Sequence, residues 1–270
     1  LMERGFSQEE FAARKATLQG AMDAAGLDAL LLTTPADIYY VTGFLTRFFE
    51  SPTRPWFIIV PRHGDVVAVI PASGEPLMRR CGVSDIRTWP APRPTDDGVS
   101  LLGDALREIA GTKGKIGVPS HLETHLRMPL ADYDKLRAGS DLGFGSDYGV
   151  MASARAIKSA AEVAKIETAC AVAGRAFDRV REIARPGVGL DEVFRRFQML
   201  CLEEGADAVE YLAGGAGPLG YSDVISPATD TPLQLGDVLM LDAGCVFDGY
   251  FCDYDRNFAI GEPAQDMVEN

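Results

Sequence analysis

Asp242 and Asp253 stand eleven residues apart in a segment, Gly236 to Gly261, whose pattern reads as a hairpin. The run Leu239-Met240-Leu241-Asp242-Ala243 reads as a strand covered on both faces, and Asp248-Gly249 as the two-residue turn that follows it. A carboxylate inside such a run is costly unless it is neutralised, ion-paired or bound to a cation. Side chains alternate along a strand, so Asp242, Gly244, Asp253 and Asp255 share one face of the hairpin. Neighbours across such a ladder have Cβ atoms roughly 4.5 to 8 Å apart, a gap that one or two divalent ions fill. Asp242 and Asp253 are therefore candidate metal ligands. Asp248 reads as a turn former, and Asp255 stands between a place on the acidic face and a partnership with Arg256.

Gly236-Asp237, Asp242-Ala243-Gly244, Asp248-Gly249-Tyr250, Asp253 and Arg256, at their spacing, resemble the first metal-binding hairpin of the pita-bread metallohydrolases, the family of methionine aminopeptidase, aminopeptidase P, prolidase and creatinase. Upstream, residues 156–162 resemble the start of that family's catalytic domain, and Tyr40-Val41-Thr42-Gly43-Phe44 resembles the creatinase-type N-terminal domain. The resemblance implies a creatinase-like α/β domain over residues 1–150, followed over 151–270 by the first part of an α+β pita-bread catalytic domain. It also implies that Asp242 chelates one metal and Asp253 bridges two, with manganese, cobalt, iron or zinc as the ions. A histidine and two glutamates complete the family's ligand set from strands further along. All three histidines here, His63, His121 and His125, lie in the first half, so the chain is expected to hold only part of the site.

The expected activity is metal-assisted hydrolysis of Xaa-Pro peptides, in the manner of an aminopeptidase or dipeptidase. One departure qualifies it: the family peptidases and creatinase place a substrate-contacting histidine where this chain has Ile225, and isoleucine neither donates a hydrogen bond nor exchanges a proton. Tyr221 and Asp223 lie close by in sequence as substitutes. The same departure favours a family member acting on a small metabolite, such as dimethylsulfoniopropionate lyase or another C–N hydrolase. A non-catalytic peptide-binding pita-bread module is the third reading.

The elements that must carry these residues follow from caps and periodicity. Ser7 to Glu10 caps a helix ending at Gly26, and 28–33 reads as a buried strand. Thr34 and Pro35 start a short helix that Gly43 stops. Residues 56–60 and 66–70 form a hairpin that exposes His63, and 90–98 is too proline-rich for an element. Helix 99–110, strand 115–119 and helix 126–138 complete this domain, with the glycine-rich 143–149 as the passage to the next. There Ser159 to Glu162 caps a helix with an apolar stripe of Val163, Ile166, Cys170, Ala173, Phe177 and Val180, a second helix spans 190–204, and a strand spans 208–213. Gly215 to Gly220 matches a dinucleotide fingerprint, yet no helix follows it, and these glycines are expected to shape a loop. No GxSxG elbow occurs.

Composition narrows the partners. The net charge of −13 argues against nucleic acid, whose phosphates require a basic surface, and residues 151–270 hold 20 acids against 10 bases, a net of −10 that favours cations near the hairpin. No run approaches the roughly 18 apolar residues of a membrane span, and the sequence start lacks a signal-type apolar segment, so the protein is expected to be cytoplasmic. Five scattered cysteines read as reduced, mostly buried thiols. The expected partners are a small-molecule or short-peptide substrate, with no nucleic acid and no membrane. The resemblance adds a homodimer, mediated by an N-terminal domain bearing Arg47-Phe48-Phe49 and Arg54-Pro55-Trp56.

Overall fold

The computed structural model describes residues 3–51, 54–218 and 220–263. Contacts divide them into two compact units, one of Gly5–Ile157 and the other of Lys158 onward together with Glu3 and Arg4.

In the first unit, Ser7 accepts a hydrogen bond from the Glu10 amide at 3.2 Å and starts α1 (Gln8–Ala25), which Gly26 closes. Then come β1 (Ala29–Leu32), α2 (Pro35–Thr42), β2 (Phe57–Pro61), β3 (Val67–Pro71), α3 (Glu75–Arg80) and β4 (Asp85–Trp89). After them follow α4 (Val99–Ala110), β5 (Lys115–Val118), α5 (Leu130–Ala138), β6 (Gly143–Ser146) and α6 (Val150–Ala156). The six strands form one mixed sheet in the order β4-β3-β2-β1-β5-β6. Its central strands are apolar at every position because helices cover both faces. Leu30, Ile58 and Ile70 point to the core shared with α1, whereas Leu31, Ile59 and Val69 point to the core shared with α4.

Two expectations change here. Gly143–Ser146 is a sixth strand, parallel to β5, because ladder pairing at a sheet edge asks nothing of the side chains. Helix α5 starts at Leu130 rather than at residue 126, since Pro129 disfavours helical geometry in Met128. The span 75–89, for which periodicity gave no element, supplies α3 and β4.

The second unit contains α7 (Ala160–Asp178), α8 (Val180–Ile183), α9 (Leu190–Glu203), β7 (Ala208–Gly217), β8 (Val238–Phe247), β9 (Tyr250–Phe251) and β10 (Tyr254–Ala259). An antiparallel sheet in the order β10-β8-β7 turns one face to the helices, with β9 pairing the far end of β8. Leu239, Leu241, Ala243 and Cys245 alternate into the core, where the rings of Phe177 and Phe197 lie 4.7 Å apart. Cys245 and Cys252 oppose each other on this side, the Cys252 amide donating to the Cys245 carbonyl at 2.9 Å, and both are free thiols. Hydrogen bonding with Cys201, reinforced by burial, pushes the Cys245 thiol up to about 12, so it remains protonated.

The stripe expected on α7 holds only toward its C-terminal end. Val163 is 42% exposed, while Glu162 and Lys165 are each 3% exposed. Charged side chains take the buried positions of the first two turns because the hairpin supplies their partners, described below. The glycine run also differs from expectation: β7 continues to Gly217 instead of ending at 213. A Cβ at Gly214 would meet the Met240 carbonyl oxygen at 2.2 Å, and one at Gly215 would meet the Asp223 carbonyl oxygen at 2.6 Å. The strand is glycine-rich there because backbone presses on it from both β8 and the returning segment, whose Val224 carbonyl accepts from Gly214 N at 2.9 Å.

Candidate metal site

Strand β8 presents its odd-numbered side chains to the helices, and so Asp242 emerges on the opposite face. Asp255 of β10 is its direct cross-strand partner, and Tyr254 pairs with Ala243, which places Asp253 beside Gly244. The turn is the one expected: Asp248 and Gly249 have φ of 49° and 80°, a pair that glycine adopts freely and aspartate tolerates. The two candidate ligands thus share a face across two arms of one hairpin.

A third residue joins them. Tyr211 lies opposite Gly244 on β7, just after an irregularity in register at Val209, and its hydroxyl reaches Asp253 Oδ1 at 2.6 Å and Asp242 Oδ1 at 3.2 Å. One phenol therefore bridges both carboxylates, with its single proton directed at the shorter contact. The ring crosses the space that Gly244 leaves open: a Cβ there would sit 2.3 Å from Tyr211 Cε1 and 3.2 Å from Phe251 Cε1. Burial raises the Asp242 carboxyl above the ordinary aspartate value, the Tyr211 hydrogen bond counteracts it, and the charges of Asp253 and Asp255 add to the rise. Burial, followed by the hydrogen bond to Asp253, raises the Tyr211 phenol as well.

Among the described residues, no group of three or more histidine, cysteine, aspartate or glutamate side chains is arranged to hold a metal ion. What is present fits part of such a site. Two carboxylates of like charge are held close to one another on one face, and a cation between them would offset the repulsion that raises Asp242. Their oxygen donors suit divalent ions of hard or borderline character. Asp255 does not pair with the Arg256 guanidinium, which instead donates to the Asp255 backbone carbonyl and to the Tyr254 hydroxyl. Asp248 is more than a turn former, because its carboxylate is buried against Lys165 at 2.5 Å.

Ile225, expected from the sequence to stand where the family peptidases have a histidine, is 89% exposed. The nearby Asp223 accepts from the amides of Ser226 and Ile225, at 3.0 and 3.1 Å, and bonds from Ser226 and then from Ile225 hold its carboxyl below the usual range. An anchored, ionised carboxylate is a poor proton donor and does not replace an imidazole. His63, His121 and His125 all belong to the Gly5–Ile157 unit. Tyr211 and Lys165 are the site-supporting residues that pattern reading missed. An aromatic residue facing a strand glycine was the available signal for Tyr211.

Gly244→Ala is expected to force the Tyr211 ring off the carboxylates. Overpacking of this kind costs about 1–3 kcal/mol, read as a lower urea midpoint, and Tyr211→Ala in the same chain should recover part of the loss.

Residues 14–157 match the creatinase/prolidase N-terminal domain, and residues 164–270 match metallopeptidase family M24. The probable dipeptidase PepE of Mycobacterium bovis is 26% identical over 270 residues, covering 99% of this chain and 68% of that protein. The Xaa-Pro dipeptidase of Pyrococcus horikoshii is 22% identical, over 92% of this chain and 64% of its own length. The crystal structure of dipeptidase PepE from Mycobacterium ulcerans superposes with a TM-score of 0.75 at 26% identity, covering 98% of this chain and 68% of that one. No helix among the described residues is long and apolar enough to cross a membrane. With a creatinase/prolidase N-terminal domain preceding a hairpin that sets two aspartates on one face, the chain belongs to the metallopeptidase family M24.

Proposed function

We propose that the protein is a metal-dependent dipeptidase that cleaves short Xaa-Pro peptides, using two divalent ions drawn from manganese, cobalt, iron and zinc. Asp242 and Asp253 would hold the ions. The observation that carries this reading is the convergence of Asp242 and Asp253 on one hydroxyl, that of Tyr211. Family membership and the names of the relatives support the peptidase activity. We further assign the protein to the cytoplasm, as a homodimer.

The ions, when bound, supply an activated water and polarise the scissile carbonyl. The chain's own contribution is positional. The alternation of β8 keeps Asp242 out of the core, the two-residue turn returns Asp253 to the same face, and Tyr211 holds an oxygen of each within hydrogen-bonding reach. Metal analysis of the protein as encoded, followed by assays on Ala-Pro, Leu-Pro and Leu-Ala, tests the proposal. Metal-dependent release of proline is expected, with Leu-Ala a poorer substrate. If the metal-loaded protein turned over none of the three dipeptides, the peptidase reading would be wrong.

Ile225 favours a second reading, in which a small zwitterionic metabolite undergoes elimination or C–N hydrolysis. Its exposed apolar side chain cannot steady a developing oxyanion, and Asp223 is engaged by backbone amides. Turnover of dimethylsulfoniopropionate or a comparable zwitterion, without turnover of dipeptides, would select it. Under the peptidase reading, Ile225→His is expected to raise kcat with little change in KM.

A further inference from the structure

From Phe247–Tyr250 at the tip to Ala243–Tyr254 the two arms keep one register, and the Cys252 amide to Cys245 carbonyl bond at 2.9 Å spans the gap, so the placing of Asp253 follows from the register set at the tip. A slip of one residue in the second arm would turn Asp253 into the core and bring a neighbour to the acidic face. Something must therefore pin the tip. The Asp248-Gly249 turn fixes the register locally, and contacts from outside the hairpin add to its hold.

Each residue of the tip with a side chain is gripped from outside the hairpin. Asp248 N donates to Asp207 Oδ2 at 2.7 Å, and that carboxylate is itself held by both terminal nitrogens of Arg4, each at 2.7 Å. Lys165 Nζ donates to Asp248 Oδ2 at 2.5 Å, both groups being buried. The Tyr250 hydroxyl donates to Glu162 Oε1 at 2.7 Å, while Glu162 Oε2 accepts from the Ser159 amide at 2.9 Å and so closes the capping box of α7. Glu162 and Lys165 are three positions apart and lie on one side of the helix start. The first turns of α7 and the start of β7 thus form a socket for the tip.

We propose that this socket is a positioning device for the metal centre: Lys165, Glu162, Asp207 and Tyr250 fix the hairpin register and thereby the placing of Asp253 against Asp242. These are positioning residues, since none touches the acidic face. The proposal rests on the assignment of Asp242 and Asp253 as ligands. It differs from a purely structural role in what it predicts for metal affinity once the fold is secured.

The test uses the protein as encoded, with Mn(II) and Co(II) titrations by calorimetry, the visible spectrum of the Co(II) form, and thermal unfolding without metal. Outer-shell losses weaken metal binding by about 10- to 100-fold. Tyr250→Phe, which leaves the ring in place, is expected to fall near the lower bound, and Asp248→Asn further into that range, each with an altered Co(II) spectrum. The Lys165→Met/Asp248→Asn double variant removes both buried charges, so it should regain thermal stability relative to Lys165→Met while its affinity stays at least about tenfold weak. Parental affinity and an unchanged Co(II) spectrum in that double variant would overturn the positioning role alone. Parental affinity in Asp242→Ala would instead overturn the ligand assignment, and this proposal with it.

Discussion

Asp242→Ala should leave the purified protein without stoichiometric divalent metal and lower kcat/KM for Xaa-Pro dipeptides by at least roughly 10³-fold. An ion that polarises the scissile carbonyl contributes several kcal/mol of transition-state stabilisation, and each 1.4 kcal/mol is a factor of ten. The loss should not come from unfolding, because Asp242 faces away from the core and its burial opposes its charge. Alanine there removes a strained carboxylate, so the metal-free variant is expected to unfold at or above the parental temperature. Asp255→Asn is the matched comparison. Asp255 shares the face and lies directly across from Asp242, but Tyr211 does not reach it, and a much smaller change in metal content is expected. Equal loss of metal in the two variants would show that charge on the face, rather than the particular pair, sets the affinity.

Lys165→Met should be among the most destabilising single substitutions in the chain, at about 3–5 kcal/mol. Removing one partner of a buried ion pair takes away the countercharge that offsets the other in a poor solvent, and Asp248 is only 6% exposed. The backbone cannot turn Asp248 outward cheaply, because its amide is tied to Asp207. Urea unfolding of the second unit measures the effect. Arg79→Ala, which breaks the exposed pair with Glu75, sets the other end of the scale, at no more than about 1 kcal/mol. If Lys165→Met were as mild as Arg79→Ala, the pair would have to be solvated rather than buried.

Much of this was legible in the sequence for physical reasons that concern local chemistry. Ser7, Thr34 and Ser159 cap the helices expected of them, and Gly26 and Gly43 close two of those helices. The Asp248-Gly249 turn, and with it the common facing of Asp242, Asp253 and Asp255, follows from chain parity alone. What escaped notice depends on partners distant in sequence. Glu162 and Lys165 read as polar positions of an amphipathic helix, and only the arrival of the hairpin tip, more than eighty residues later, makes them interior. The extension of β7 through Gly214–Gly217 escaped because glycines normally weaken strands, whereas here absent side chains admit two neighbouring backbones. Tyr211 was obscured by the irregular register at Val209, which no side-chain pattern announces.

The alternation along β8 has a further consequence for how this hairpin can change length. In the second arm an acid and a thiol on opposite sides occupy adjacent positions, Asp253 and Cys252, while in the first Asp242 is flanked by Leu241 and Ala243. A single residue gained or lost, unless absorbed as a bulge, would put Cys252 in place of Asp253 in the second arm or an apolar Leu241 or Ala243 in place of Asp242 in the first, whereas changes in steps of two preserve the facing. Length variation in this segment is therefore subject to a parity rule, with the turn the most permissive place for an odd insertion, and even there the hold of Lys165 on Asp248 would have to be rebuilt.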